Sequence, residues 1–221
     1  MNEILNILNN LKTQKQKTFM QKLIFTKYKI LGVKTPHLRK IANNLCKNLN
    51  NSNLLNFINS DDEIFEMILL KGLILTDLKC EFSKKLTLYD KYIKKADNWA
   101  LVDTIKLKKI DENLLFNEIN LWLKSNDEFI LRAGFVNLLY YFIKDEYLDF
   151  IFNTPNPNKY YAQMAKAWLI CECAVQFPKK TLFFLKDKKL NSEIFKMTKI
   201  KIKDSFRISN EFKDEISKVI Y

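Results

Sequence analysis

Trp99 and Asp103 stand four residues apart in NWALVD. That spacing puts an indole and a carboxylate on one face of a helix, about one turn apart. A π face and a negative charge aimed at one point both attract a cation, the aromatic contact contributing about 0.5–2 kcal/mol depending on desolvation. Arg132 in FILRAGFV and Trp168 in AKAWLICE are the other residues of uncommon type on predicted helices. Two readings stay open for each. Both tryptophans could be core residues, and Asp103, set among Leu101, Val102 and Ile105, could be a structural partner of Arg132. Arg132 could equally meet a phosphate. His37 is the one histidine, so a histidine acid or base beside Asp103 is not expected. Cys46, Cys80, Cys171 and Cys173 form no C-x-x-C pair or Cys/His cluster, which argues against zinc and thioredoxin-like chemistry. Trp122 matches no such pattern and reads as core, as do Cys171 and Cys173.

The elements that must position these residues are helices. Apolar residues recur at three- and four-residue intervals almost throughout. The pattern predicts helices over about 2–12, 14–29, 35–49, 51–59, 61–77, 79–94, 96–107, 111–124, 127–143, 145–153, 158–177, 178–187, 191–204 and 208–220. Pro36 after Thr35, Asp61, Asp111 and Ser209 are the expected helix starts. Three glycines and four prolines are too few for a sandwich or barrel, and Gly32, Gly72 and Gly134 cannot make a phosphate-binding glycine loop. No low-complexity linker divides the chain, so one domain over 1–221 is expected. Short helices with brief connections predict an all-α, HEAT-like helical-repeat solenoid. The spacings from Trp99 to Arg132, Arg132 to Trp168 and Trp168 to Arg207 are 33, 36 and 39 residues, near the period of roughly 35–45 for such repeats.

The net charge is +12, from 37 Lys+Arg against 25 Asp+Glu, and such a field favours polyanions. Only Arg39, Arg132 and Arg207 are arginine, and the lysine-, asparagine- and isoleucine-rich composition also reads as codon bias. Charge alone therefore does not choose a partner. The N-terminus lacks the basic region and cleavage site of a secretory signal, and no window is apolar enough to span a membrane. A cytoplasmic protein is expected.

The segments that hold these residues resemble the DNA alkylation repair family of HEAT-like repeat proteins, the AlkD-like DNA glycosylases. The resemblance runs through LGVKTPHLRKIA (31–42), ADNWALVDTI (96–105), FILRAGFVNLL (129–139), YYAQMAKAWLICECAVQFPKKTLFFLK (160–186) and KIKDSFRIS (201–209). It implies a concave basic cleft that cradles duplex DNA and release of N3- or N7-alkylated purines, without metal or organic cofactor. It implies that Trp99 and Asp103 face the lesion, that Trp168 faces the same place, and that Arg132 helps hold the DNA backbone. One departure is plain: the tyrosine that some active members place in the second helix falls on Leu23, with Tyr28 off register.

Such a reaction suits one carboxylate. Breaking an N-glycosidic bond develops positive charge on the sugar, which Asp103 would stabilise while orienting water. The alkylated purine is already cationic, so its departure needs little help from an acid. Lys166, Lys199, Lys201, Lys203 and Arg207 are candidate phosphate contacts, with at most two of 199, 201 and 203 on one strand. The expected enzyme is a monofunctional, monomeric glycosylase of duplex DNA that carries alkylated purines. The rivals are a catalytically inactive DNA-binding solenoid and a protein–protein scaffold.

Overall fold

The computed structural model describes residues 2–221, and among these helices are the only extended regular structure. The chain divides into two compact units, one ending at Leu115 and the other beginning at Phe116. The first holds α1 (Asn2–Leu11), α2 (Gln14–Leu23), α3 (Thr35–Asn48), α4 (Asn51–Asn59), α5 (Phe65–Asp77), α6 (Phe82–Ile93) and α7 (Trp99–Asp103). The division falls within α8 (Glu112–Trp122). The second unit continues with α9 (Glu128–Tyr141), a 3-10 turn at Asp145–Tyr147, α10 (Leu148–Phe152), α11 (Tyr160–Gln176), α12 (Pro178–Lys186), α13 (Ser192–Asp204) and α14 (Asn210–Ser217).

Each unit is built round helices buried along most or all of their surface, which calls for a mainly apolar sequence. In the first unit α5 is buried from Phe65 to Thr76, with α3, α4, α6 and α7 packed on it. In the second, α11 packs between α9 and α13, and α9 is buried from Leu131 to Leu138. Helices layered this way are compatible with the expected helical-repeat solenoid. Trp122 is in the core, as expected.

Three of the expected helix starts hold. Pro36 lies in the first turn of α3, Asp111 accepts the Leu114 N–H at 3.0 Å, and Ser209 accepts that of Phe212. Asp61 is a correction. α5 starts at Phe65 with no side-chain cap, and Asp61 reaches Lys95 at 2.9 Å instead.

The longest run that departs from the periodicity lies at 24–29. The pattern predicts helix to residue 29, but α2 stops at Leu23 and Ile24 is extended. The following backbone donors are taken by distant acceptors. Lys27 N–H donates to Asp97, and Lys29 N–H to the Glu63 carbonyl. Leu31, Gly32 and Val33 all donate to the buried Glu66 carboxylate, at 3.0, 2.7 and 3.2 Å. Gly32 sits at φ 99° and accepts from the Thr13 N–H. Local helix propensity loses to these tertiary bonds because a buried N–H without an acceptor is costly.

Candidate functional site

The short helix α7 carries the first indole–carboxylate pair. Asn98 starts it by accepting the N–H groups of Ala100 and Leu101 at 3.0 and 3.3 Å. Ala100, Leu101 and Val102 are buried, and the Tyr92 hydroxyl donates to the Leu101 carbonyl at 2.9 Å. That anchoring leaves Trp99 and Asp103, one turn apart, as the half-exposed residues of the helix. The Trp99 indole N–H donates to the Leu23 carbonyl at 3.3 Å. The departure at Leu23 thus changes a side chain, while its backbone still fixes the indole. Arg39 donates from Nη2 to the carbonyl of Thr104, the residue after Asp103, at 3.1 Å. This brings an arginine to the C-terminal end of α7, where cations are favoured.

Asp97 ties the 24–28 segment to the same helix start. Its carboxylate accepts from the Thr26 hydroxyl, the Lys27 N–H and the Asn98 amide at 2.7–2.9 Å. Nothing in the local sequence pattern marks Asp97, Glu66 or Arg39, because apart from Asn98 their partners lie 33 to 71 residues away.

In the second unit, α11 exposes one stripe: Tyr161, Met164, Trp168, Glu172 and Val175 are half-buried, while most of their neighbours are buried. Trp168 meets Tyr140 of α9 edge to face, ring centres 6.5 Å apart. Glu172, one turn beyond Trp168, takes an ion pair from Arg207 Nη2. Trp168 and Glu172 repeat the spacing of Trp99 and Asp103, a signal the sequence held and composition did not reveal. Lys203 is exposed on α13. Lys199 is used differently from expectation, donating to the Ser217 and Val219 carbonyls at 3.0 and 2.9 Å at the end of α14. Arg132 is buried, and its Nη1 donates to the Tyr161 carbonyl at 2.6 Å, holding the first turn of α11 to α9.

Lys166 differs most from its expected phosphate contact. It is 1% exposed, and its ammonium donates to the Thr154 and Pro155 carbonyls and Asn156 Oδ1 at 2.6, 3.2 and 2.8 Å. The two prolines that stop α10 leave those acceptors without helical donors, and the lysine reaches them from α11. Burial pushes this ammonium down to about 7. An unfolded lysine stays protonated to about pH 10.4. Above pH 7 the unfolded chain therefore binds the extra proton, and stability rises with pH. Cys171 and Cys173, pushed up by burial to about 11 and about 12, reverse that trend once unfolded thiols ionise near about pH 8.5. Urea unfolding between pH 7 and 8 is expected to show the rise in the wild type and a level or slightly falling profile in Lys166→Met.

Among the described residues no three His, Cys, Asp or Glu side chains are grouped to hold a metal ion, and no helix is long and apolar enough to cross a membrane. A family model described as DNA alkylation repair enzyme matches residues 4–206. The chain belongs to that family. The match spans both units and includes Trp99, Asp103, Arg132, Lys166, Trp168 and Lys203; Arg207 lies just beyond its end. Among curated proteins, none matches the chain. Membership makes DNA repair the setting and DNA the partner in which this alkylation repair protein is to be understood.

Proposed function

We propose that this protein is a DNA glycosylase that releases N3- and N7-alkylated purines from duplex DNA by hydrolysing the N-glycosidic bond. The observation that carries the reading is the Trp99–Asp103 face of α7, anchored from behind by buried neighbours and held at the indole by the Leu23 carbonyl. A carboxylate fixed by a folded scaffold needs no reorganisation as positive charge grows on the deoxyribose, so it stabilises the transition state more than the ground state. Asp103 also orients the attacking water. In the first unit Trp99 gives a π face to the cationic base; in the second, Trp168 offers an aromatic contact to DNA and the exposed Lys203 and Arg207 meet phosphates. Arg132 acts by holding α11 in place rather than by direct contact. The protein acts as a monomer, and the purine's own positive charge replaces a general acid.

The test is chromatographic detection of free 7-methylguanine and 3-methyladenine from methylated duplex DNA, beside uracil from a uracil-containing duplex. Release of the methylated purines without uracil is the expected result, because uracil is neutral and gains nothing from a carboxylate and a π face. Leu23 favours a second reading, a family member that binds DNA without chemistry. Salt-dependent duplex binding with no base release would select it.

A further inference from the structure

We infer that the turn between α13 and α14 is a built DNA contact, in which Glu172 is a positioning residue that sets Arg207 on a phosphate while Phe206 packs against the nucleotide beside it. The inference rests on the reading that the protein binds duplex DNA, and adds to it a place and two residues. A carboxylate on a DNA-binding face repels phosphate unless a cation covers it. Glu172 meets that condition: its side chain is 13% exposed, whereas that of its partner Arg207 is 61% exposed. The guanidinium therefore lies over the carboxylate with much of its surface still facing solvent. Arg has five N–H donors in a rigid fork, so it can hold Glu172 and still offer donors to a phosphate oxygen. The ion pair raises the affinity of Arg207 for its proton, first through the hydrogen bond to Glu172 and then through its charge.

The turn is fixed on both sides. The Ser205 hydroxyl accepts the Arg207 N–H, Ile208 is buried, and Ser209 starts α14. Between these anchors Phe206 is fully exposed, more so than any other large apolar side chain among the described residues. An aromatic ring held out by a rigid turn, next to a guanidinium and near the exposed Lys203 at the end of α13, fits a nucleic acid. The cations meet the backbone, and the ring packs on a sugar or base. A purely apolar partner would desolvate Lys203 and the Arg207 donors that Glu172 does not take.

The experiment is fluorescence anisotropy of a labelled duplex with the full chain over a range of salt, for wild type, Phe206→Ser, Arg207→Ala, Glu172→Gln and the Glu172→Gln/Arg207→Ala double variant. Phe206→Ser is expected to weaken binding roughly fivefold or more with an unchanged salt slope, since it removes an apolar contact. Arg207→Ala is expected to reduce the slope by about 0.9, the signature of one lost phosphate. Glu172→Gln is expected to weaken binding only where Arg207 is present; in the Arg207→Ala background it is expected to restore part of the affinity, because it removes a carboxylate left uncovered. Unchanged affinity in Phe206→Ser and Arg207→Ala, with wild type still binding duplex, would overturn the contact and leave the DNA reading intact. Tighter binding by Glu172→Gln would overturn the positioning role. No duplex binding by wild type at any salt would overturn this inference together with the reading it rests on.

Discussion

Asp103→Asn is expected to slow release of 7-methylguanine from methylated duplex DNA by about 10²–10³-fold, the usual effect of removing one preorganised electrostatic group from a transition state. Asparagine keeps the shape and some hydrogen bonding of aspartate, so the loss isolates the charge. Thermal stability should change little, because α7 is held by Asn98, by its buried residues and by the Tyr92 hydroxyl rather than by its last side chain alone. Duplex affinity should hold or increase, since a negative charge near phosphates disappears. Single-turnover base release and anisotropy on the same duplex read these two quantities separately. Equal release by wild type and variant would remove Asp103 from the chemistry. A loss confined to release would separate the glycosylase from a passive DNA binder, for which the substitution changes no activity.

The second large effect concerns stability, and it arises far from any residue expected to do chemistry. Glu66 is 1% exposed and accepts three backbone N–H groups of the 31–33 segment. Glu66→Gln keeps the oxygen that serves Gly32 and Val33, but can turn an amide N–H toward the Leu31 N–H. One buried donor then lacks an acceptor, at a cost of about 1–3 kcal/mol. For a chain of this size that corresponds to a fall in Tm of roughly 2–12 °C. Glu66→Ala strands all three donors, and the sum approaches the whole stability of an ordinary domain, about 5–15 kcal/mol. That variant is expected not to fold. Gly32→Ala tests the same segment from the other side. Its new Cβ would stand 2.5 Å from the Thr13 carbonyl oxygen and 2.6 Å from the Lys17 nitrogen, at φ 99°, and neither neighbour is a side chain that can swing away. Calorimetry on Glu66→Gln and Gly32→Ala should show large losses, and a Tm within about a degree of wild type in both would refute the account of this segment.

Stability and site are joined here. The 24–34 segment holds Asp97 through Thr26 and Lys27, Asp97 holds Asn98, and Asn98 starts the helix that presents Trp99 and Asp103. Leu23, where that segment begins, accepts the Trp99 indole. Loosening the segment should therefore reduce activity through geometry, without touching a reacting atom.

Within single helices, the sequence by itself determined much of this protein. The 3.6-residue period put Trp99 and Asp103 on one face, predicted helices throughout and kept Trp122 inside. Side chains next to the backbone they serve were also legible, as Asp111 and Ser209 show at their helix starts. Only the tertiary structure decided where long side chains and distant acceptors meet. Lys166 is free by spacing alone to point to solvent, and the loop that holds Pro155 and Pro157 draws it inward by exposing carbonyls. Nothing in the local pattern sets Glu172 apart, yet Arg207, 35 residues on, lies over it. The end of α2 departs from the pattern for the same cause: apolar periodicity continues through residue 29, while Asp97 and the Glu63 carbonyl take the Lys27 and Lys29 N–H groups. A local pattern records which face of an element is apolar; it carries no record of which remote partner will take a particular donor, because that choice is made only when the elements pack.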